Sequence, residues 1–136
     1  MNACRELDVL VAQQVFGHSV VKQGKRPHVE GTPKGVRTLG NYSTDITFAW
    51  EVVEKLGMTL IPIEGGSWFA FVGKNTGWKS PAEFIQSLQK GEFMEAGAAV
   101  SETAALSICV AALKAVEKRE AQDKSNDQTP TLSLVN

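Results

Sequence analysis

Met58-Thr-Leu-Ile-Pro-Ile63, Glu64-Gly-Gly-Ser67 and Trp68-Phe-Ala-Phe-Val-Gly73 follow one another without a break, and the reading of this stretch decides the fold. Two short apolar runs flank a Gly-Gly turn, which has the length and centre of a β-hairpin. Neither run alternates apolar with polar residues. Leu60 and Pro62 point one way while Ile61 and Ile63 point the other, and Trp68 and Ala70 likewise oppose Phe69 and Phe71. A sheet that is apolar on both faces must be covered on both, which predicts helices above and below it. Pro62 has no N–H to give to a ladder, so its strand is predicted at an edge or with the proline nitrogen facing outward.

On the N-terminal side, Ile46, Ala49, Trp50, Val53 and Leu56 recur at helical spacing, with Ser43 or Thr44 as the expected cap and Gly57 as the stop. This reading places Trp50 in the core. Further upstream, Leu7, Leu10, Val11 and Val15 form the apolar side of a helix over Ala3–Phe16. On the C-terminal side, Ser80-Pro81-Ala82-Glu83 is a capping box with proline at the first helical position, opening a helix to Gly91. Glu92–Val100 reads as a third strand, and Ser101 caps a long helix with Ala105, Ile108, Cys109, Ala112, Leu113 and Val116 as its buried stripe. The expected fold is α/β of the α+β kind: a helix–sheet–helix sandwich whose small, mainly antiparallel sheet is covered by helices on both faces.

The chain of 136 residues, 43% of them hydrophobic, suits one core, and residues 1–118 are read as a single domain. Residues 22–41 read as a long basic loop punctuated by Gly24, Pro27, Gly31, Pro33, Gly35 and Gly40, and residues 119–136 as a polar, disordered tail. Leu132, Leu134 and Val135 give that tail a second reading, as an edge strand or a segment docked on a neighbouring subunit.

Composition removes several classes of function. The longest apolar runs, Trp68–Val72 and Ala96–Val100, fall far short of the roughly 18 to 20 residues of a membrane span, and no secretion signal opens the chain. A cytoplasmic protein is expected, with Cys4 and Cys109 reduced. Two histidines, His18 and His28, and no paired cysteines predict no metal site. No phosphate-binding loop, nucleophile elbow or dinucleotide fingerprint is present, so neither a cofactor nor catalysis is expected. The pairs Glu51/Glu54 and Glu92/Glu95 read as solvated faces. A formal charge of −1 argues against nucleic acid as a partner.

The charge is nonetheless uneven. Lys22, Lys25, Arg26, Lys34 and Arg37 crowd a stretch whose only acidic residue is Glu30. This is either a solvated loop or a site for phosphates, with Lys34 and Arg37 as the attracting residues. Immediately after it, Tyr42, Ser43, Thr44 and Asp45 stand at a helix N-terminus, where free N–H groups and hydroxyls suit a phosphate or ribose unless they form an ordinary cap. Trp78, in a loop between Gly77 and Lys79, would stack a purine or close a subunit interface. Tyr42 is the second stacking candidate.

The string Tyr42-Ser-Thr-Asp45-Ile-Thr-Phe-Ala-Trp50-Glu-Val-Val-Glu-Lys55-Leu, with Ala104-Ala-Leu-Ser-Ile108-Cys-Val-Ala-Ala-Leu-Lys114-Ala-Val and Arg5-Glu-Leu-Asp-Val-Leu-Val-Ala, resembles the phage ABA sandwich domain family. The resemblance runs to about Lys118 and implies a phage or prophage origin, a helix–sheet–helix sandwich and a life in the host bacterial cytoplasm. The family name describes a shape and implies no activity. Small phage proteins without catalytic residues include sponges for nucleotide signals of bacterial defence, and analogy with these suggests a binder of a cyclic oligonucleotide or a cyclic ADP-ribose derivative. The expected partners are that small nucleotide-derived ligand and further copies of the chain, since two copies double the walls available to a pocket. The alternatives are a protein-binding phage accessory module and, behind it, a nucleotide-degrading enzyme.

Overall fold

The computed structural model describes residues 2–72, 79–90 and 97–135. Helix α1 (Arg5–Leu10) passes directly into a π-helical turn, Val11–Val15. Strands β1 (Ser19–Val21), β2 (Val29–Thr32) and β3 (Gly35–Thr38) follow, then α2 (Ile46–Leu56), β4 (Met58–Ile63), β5 (Ser67–Val72), α3 (Pro81–Lys90), β6 (Ala98–Ser101) and α4 (Ala104–Val135). They build two antiparallel three-stranded sheets, ordered β1-β2-β3 and β4-β5-β6.

The hairpin that decided the fold is present in the expected register, with Leu60 opposite Ala70 and Pro62 opposite Trp68. Among the described residues β4 pairs only with β5 in this sheet, so Pro62 sits on an edge strand. One face of the sheet packs on α4, whose stripe of Ala105, Ile108, Cys109, Ala112 and Leu113 is buried as its spacing predicted. α4 also touches α2 and the π-helical turn. Approach between β6 and α4 is close enough to require glycine: a Cβ on Gly97 would lie 2.7 Å from Ala115 N, and its φ of +142° disfavours any other residue.

Cover on the opposite face is uneven. Phe71 is buried, and its ring lies 6.3 Å from that of Phe84 on α3, while Ile61, Ile63 and Val100 are exposed. The expected third strand begins at Ala98; residues 91–96 lie outside the described residues.

Four other expectations are corrected. The segment read as a long basic loop holds β2 and β3, which pair from Val29↔Thr38 to Thr32↔Gly35 around Pro33-Lys34, and β2 pairs with β1 as well. The loop reading failed because Gly and Pro punctuation also describes a run of tight hairpins. Asp45, and not Ser43 or Thr44, caps α2: its side chain accepts from Thr47 N at 2.9 Å, and Gly57 closes the helix in the left-handed conformation. Trp50 leaves the core, 47% exposed beside Ile46, because α2 turns Ala49, Val52, Val53 and Leu56 inward and Ile46 and Trp50 lie one helical turn apart on the rim. Finally, α4 runs on to Val135, across the stretch whose composition suggested a polar tail.

Both cysteines are free; Cys4 is exposed, and burial, helped by the charge of Asp8, pushes the Cys109 thiol up to about 12. Among the described residues no helix is long and apolar enough to cross a membrane.

Candidate functional site

Strand register assembles the site. Val20 on β1 faces Glu30 on β2, which faces Arg37 on β3. Side chains alternate along a strand, so His18, two residues before Val20, falls on the same face as Glu30 and Arg37. Glu30 is fully buried, which for a carboxylate demands partners. Oε1 accepts from Tyr42 Oη at 2.7 Å and from Arg37 Nε at 3.2 Å, and Oε2 accepts from Gly40 N at 3.0 Å. His18 Nδ1 lies 3.0 Å from Oε1; because an ionised carboxylate only accepts, Nδ1 carries the proton. Burial alone would raise the Glu30 carboxyl, but the hydrogen bonds from Gly40, Tyr42 and His18 and the charge of Arg37 outweigh it and hold the group below the usual carboxylate range.

Arg37 is shared. Its Nη2 donates to Tyr42 Oη at 3.0 Å and to Glu51 Oε2 at 3.2 Å, its Nη1 reaches Glu51 Oε1 at 3.5 Å, and its guanidinium lies over the Phe48 ring, 5.5 Å from the centroid. α2 supplies both Phe48 and Glu51, three residues apart and so on one helix face. Burial would lower the guanidinium, but the bonds to Glu51 and Tyr42 and the nearby charges raise it, so it stays charged. Tyr42 is held protonated by burial and by its bond to Glu30.

A second, smaller network fixes the approach to α2. Asp8, also buried, accepts from Ser43 N at 2.8 Å and Ser43 Oγ at 2.7 Å, and pairs with Arg5 at 2.9 Å. Arg5 in turn donates to Leu39 O and to Asn41 Oδ1, tying the crossover from β3 to the first helix.

The predicted site residues therefore separate. Lys34 and Arg37 come together, on the rim of one cavity of about 250 Å³. Phe16, His18 and Thr32 form other parts of its wall, and Glu51 closes the side toward α2. Tyr42 does not present a stacking face: it is fully buried, with Phe16 stacked on its ring at 5.5 Å and Phe48 edge-on at 5.8 Å. Burial of so large an aromatic beside two charged groups overrides the exposed position that its place before a helix suggested. Ser43 is buried on Asp8, Asp45 is the helix cap, and Thr44 is exposed; none of the three lines the cavity. Trp78 lies outside the described residues.

Sequence reasoning missed His18, Glu30 and Glu51. The signal for Glu30 was present as the one acidic residue in a basic stretch, which in a hairpin asks for a cross-strand cation. Glu51 carried no such signal, because its partner comes from a strand fourteen residues earlier.

These elements define a class: an α+β sandwich of small antiparallel sheets and packed helices, with a cavity beside the sheet β1-β2-β3. The match to the phage ABA sandwich domain covers residues 9–113, and the chain belongs to that family. It is also similar to the 2.0 Å crystal structure of a phage protein from Bacillus cereus ATCC 14579, at 23% identity and a TM-score of 0.57, covering 86% of this chain and 92% of that one. That likeness concerns the fold. No curated protein matches the chain.

Proposed function

We propose that this protein binds and sequesters a small nucleotide-derived signal of the cyclic oligonucleotide or cyclic ADP-ribose type, and so blunts a host defence without turning its ligand over. One observation supports the reading above others: Lys34 and Arg37 flank one cavity that also has Phe16 in its wall. A cationic fork beside an aromatic surface is the combination that phosphate and base together require. Binding without turnover accords with the state of the titratable groups. Tyr42 is locked as a donor to Glu30, and Glu30 is held ionised by the donors around it. Phe16 is the aromatic residue of the cavity wall; its ring is already stacked on His18 at 5.4 Å and on Tyr42 at 5.5 Å, so a base would meet only the part of it left exposed. A second copy of the chain would close the mouth of the cavity, so a homo-oligomer is part of the proposal.

The test is to mix purified protein with cyclic dinucleotides, cyclic trinucleotides and ADP-ribose derivatives, remove free ligand, denature, and identify what is released by mass spectrometry. One compound recovered intact, and lost with Lys34→Ala, is the expected outcome. A compound returned altered would make the protein an enzyme, and retention of nothing would leave the alternative. That alternative, a module docking a host or phage protein, draws on the exposed Ile46 and Trp50 of α2, where Trp50→Ala would abolish partner binding and leave ligand capture intact.

A further inference from the structure

The cavity contains one carboxylate that works against the proposed ligand, and its placement suggests a purpose. Arg37 carries two acidic partners of different kinds. Glu30 cannot leave: it is fully buried, and Gly40, Tyr42 and His18 hold it as firmly as Arg37 does. Glu51 can. Its side chain is 42% exposed, its contacts to Arg37 are 3.2 and 3.5 Å, at the long end for a charge-assisted bond, and among the described residues no other polar partner holds it.

We propose that Glu51 is a displaceable counter-ion, occupying the outer edge of Arg37 in the free protein and yielding it to a phosphate of the ligand. This rests on the reading of the cavity as a nucleotide site and names what that site selects. The inner bond to Glu30 keeps the guanidinium oriented, so the fork is preorganised when Glu51 swings away. A phosphate replaces the long, solvent-screened contacts of Glu51 with shorter ones to the same two guanidinium nitrogens and adds Lys34 from the same cavity. An uncharged nucleoside gains nothing by displacing Glu51 and leaves Arg37 satisfied as before. In the free state Arg37 is offset by Glu30 from behind the wall and by Glu51 within the cavity, which lowers the pull of the site on stray anions. Selectivity for phosphate-bearing over neutral nucleotides thus comes from a competitor built into α2.

Calorimetric titration of the full chain with inorganic pyrophosphate, and separately with adenosine, tests this at low ionic strength. Glu51→Gln keeps the shape and removes the charge, and is expected to bind pyrophosphate roughly three- to tenfold more tightly than the unaltered protein, with adenosine binding unchanged. Adding Lys34→Gln to that variant is expected to erase the gain, and a gain that survives it would place the anion elsewhere and overturn the proposal. If the unaltered protein binds pyrophosphate and Glu51→Gln binds it no better, the counter-ion role is overturned while the phosphate site stands. If neither protein binds pyrophosphate, the role and the phosphate site fall together.

Discussion

Sheet β4-β5-β6 buries Ala70, Phe71 and Val72, whereas the central strand of sheet β1-β2-β3 buries a glutamate. The first is held by non-directional apolar contact, with α4 on one face and with Phe84 of α3 beside Phe71 on the other, where side-chain volume matters most. In the second, Glu30 is held by directed bonds from Arg37, Tyr42, His18 and Gly40, each of which needs its own atom in its own place. The apolar sheet contributes buried volume to the core, while the polar one keeps ionised groups aligned beside a cavity.

The largest expected effect is on the apolar side. Phe71→Ala should lose about 3–5 kcal/mol of stability in urea denaturation, since the ring is almost wholly buried. A loss below about 1 kcal/mol would mean the sheet packs less closely than its burial implies.

On the polar side, Glu30→Gln keeps the volume but gives up the charge that several donors face, and should cost about 2–3 kcal/mol near neutral pH. The sign of its pH dependence follows from the depressed carboxyl. The folded-state value lies below the unfolded one, so the contribution is full above the unfolded pKa of about 4.3 and is lost as pH falls through the folded value. The stability gap between the unaltered protein and Glu30→Gln should therefore narrow on acidification, and a gap constant from neutral pH into acid would sink the ionised-network description. Glu51→Gln is the smallest effect, less than about 1 kcal/mol in thermal or urea unfolding, because both partners are more than a third exposed. A larger loss would mean that Glu51 is as fixed as Glu30, which would sharpen the comparison by removing the difference on which ligand exchange depends.

Much of the fold was legible because the signals are local. The spacing Ala49-Val53-Leu56, the stop at Gly57 and the hairpin around Gly65-Gly66 each concern residues a few positions apart. Trp50 shows the limit: its apolar character put it in the stripe, yet which edge of the stripe faces inward depends on where α4 lies. The site was less legible. Lys34 and Arg37 were found from charge, whereas Tyr42 and Ser43 were placed at a ligand because a tyrosine or serine before a helix gives no sign of being buried by a distant glutamate or aspartate.

The sequence by itself determined the helices of the core, the β4–β5 hairpin, the family to which the chain belongs, and the local excess of positive charge near Lys34 and Arg37. Only the tertiary structure decided which charge meets which. Periodicity and capping act between neighbours along the chain, but Glu30 finds Arg37 through the register of β2 on β3, His18 through that of β1, and Glu51 through the docking of α2. These distances close only when the whole domain has folded.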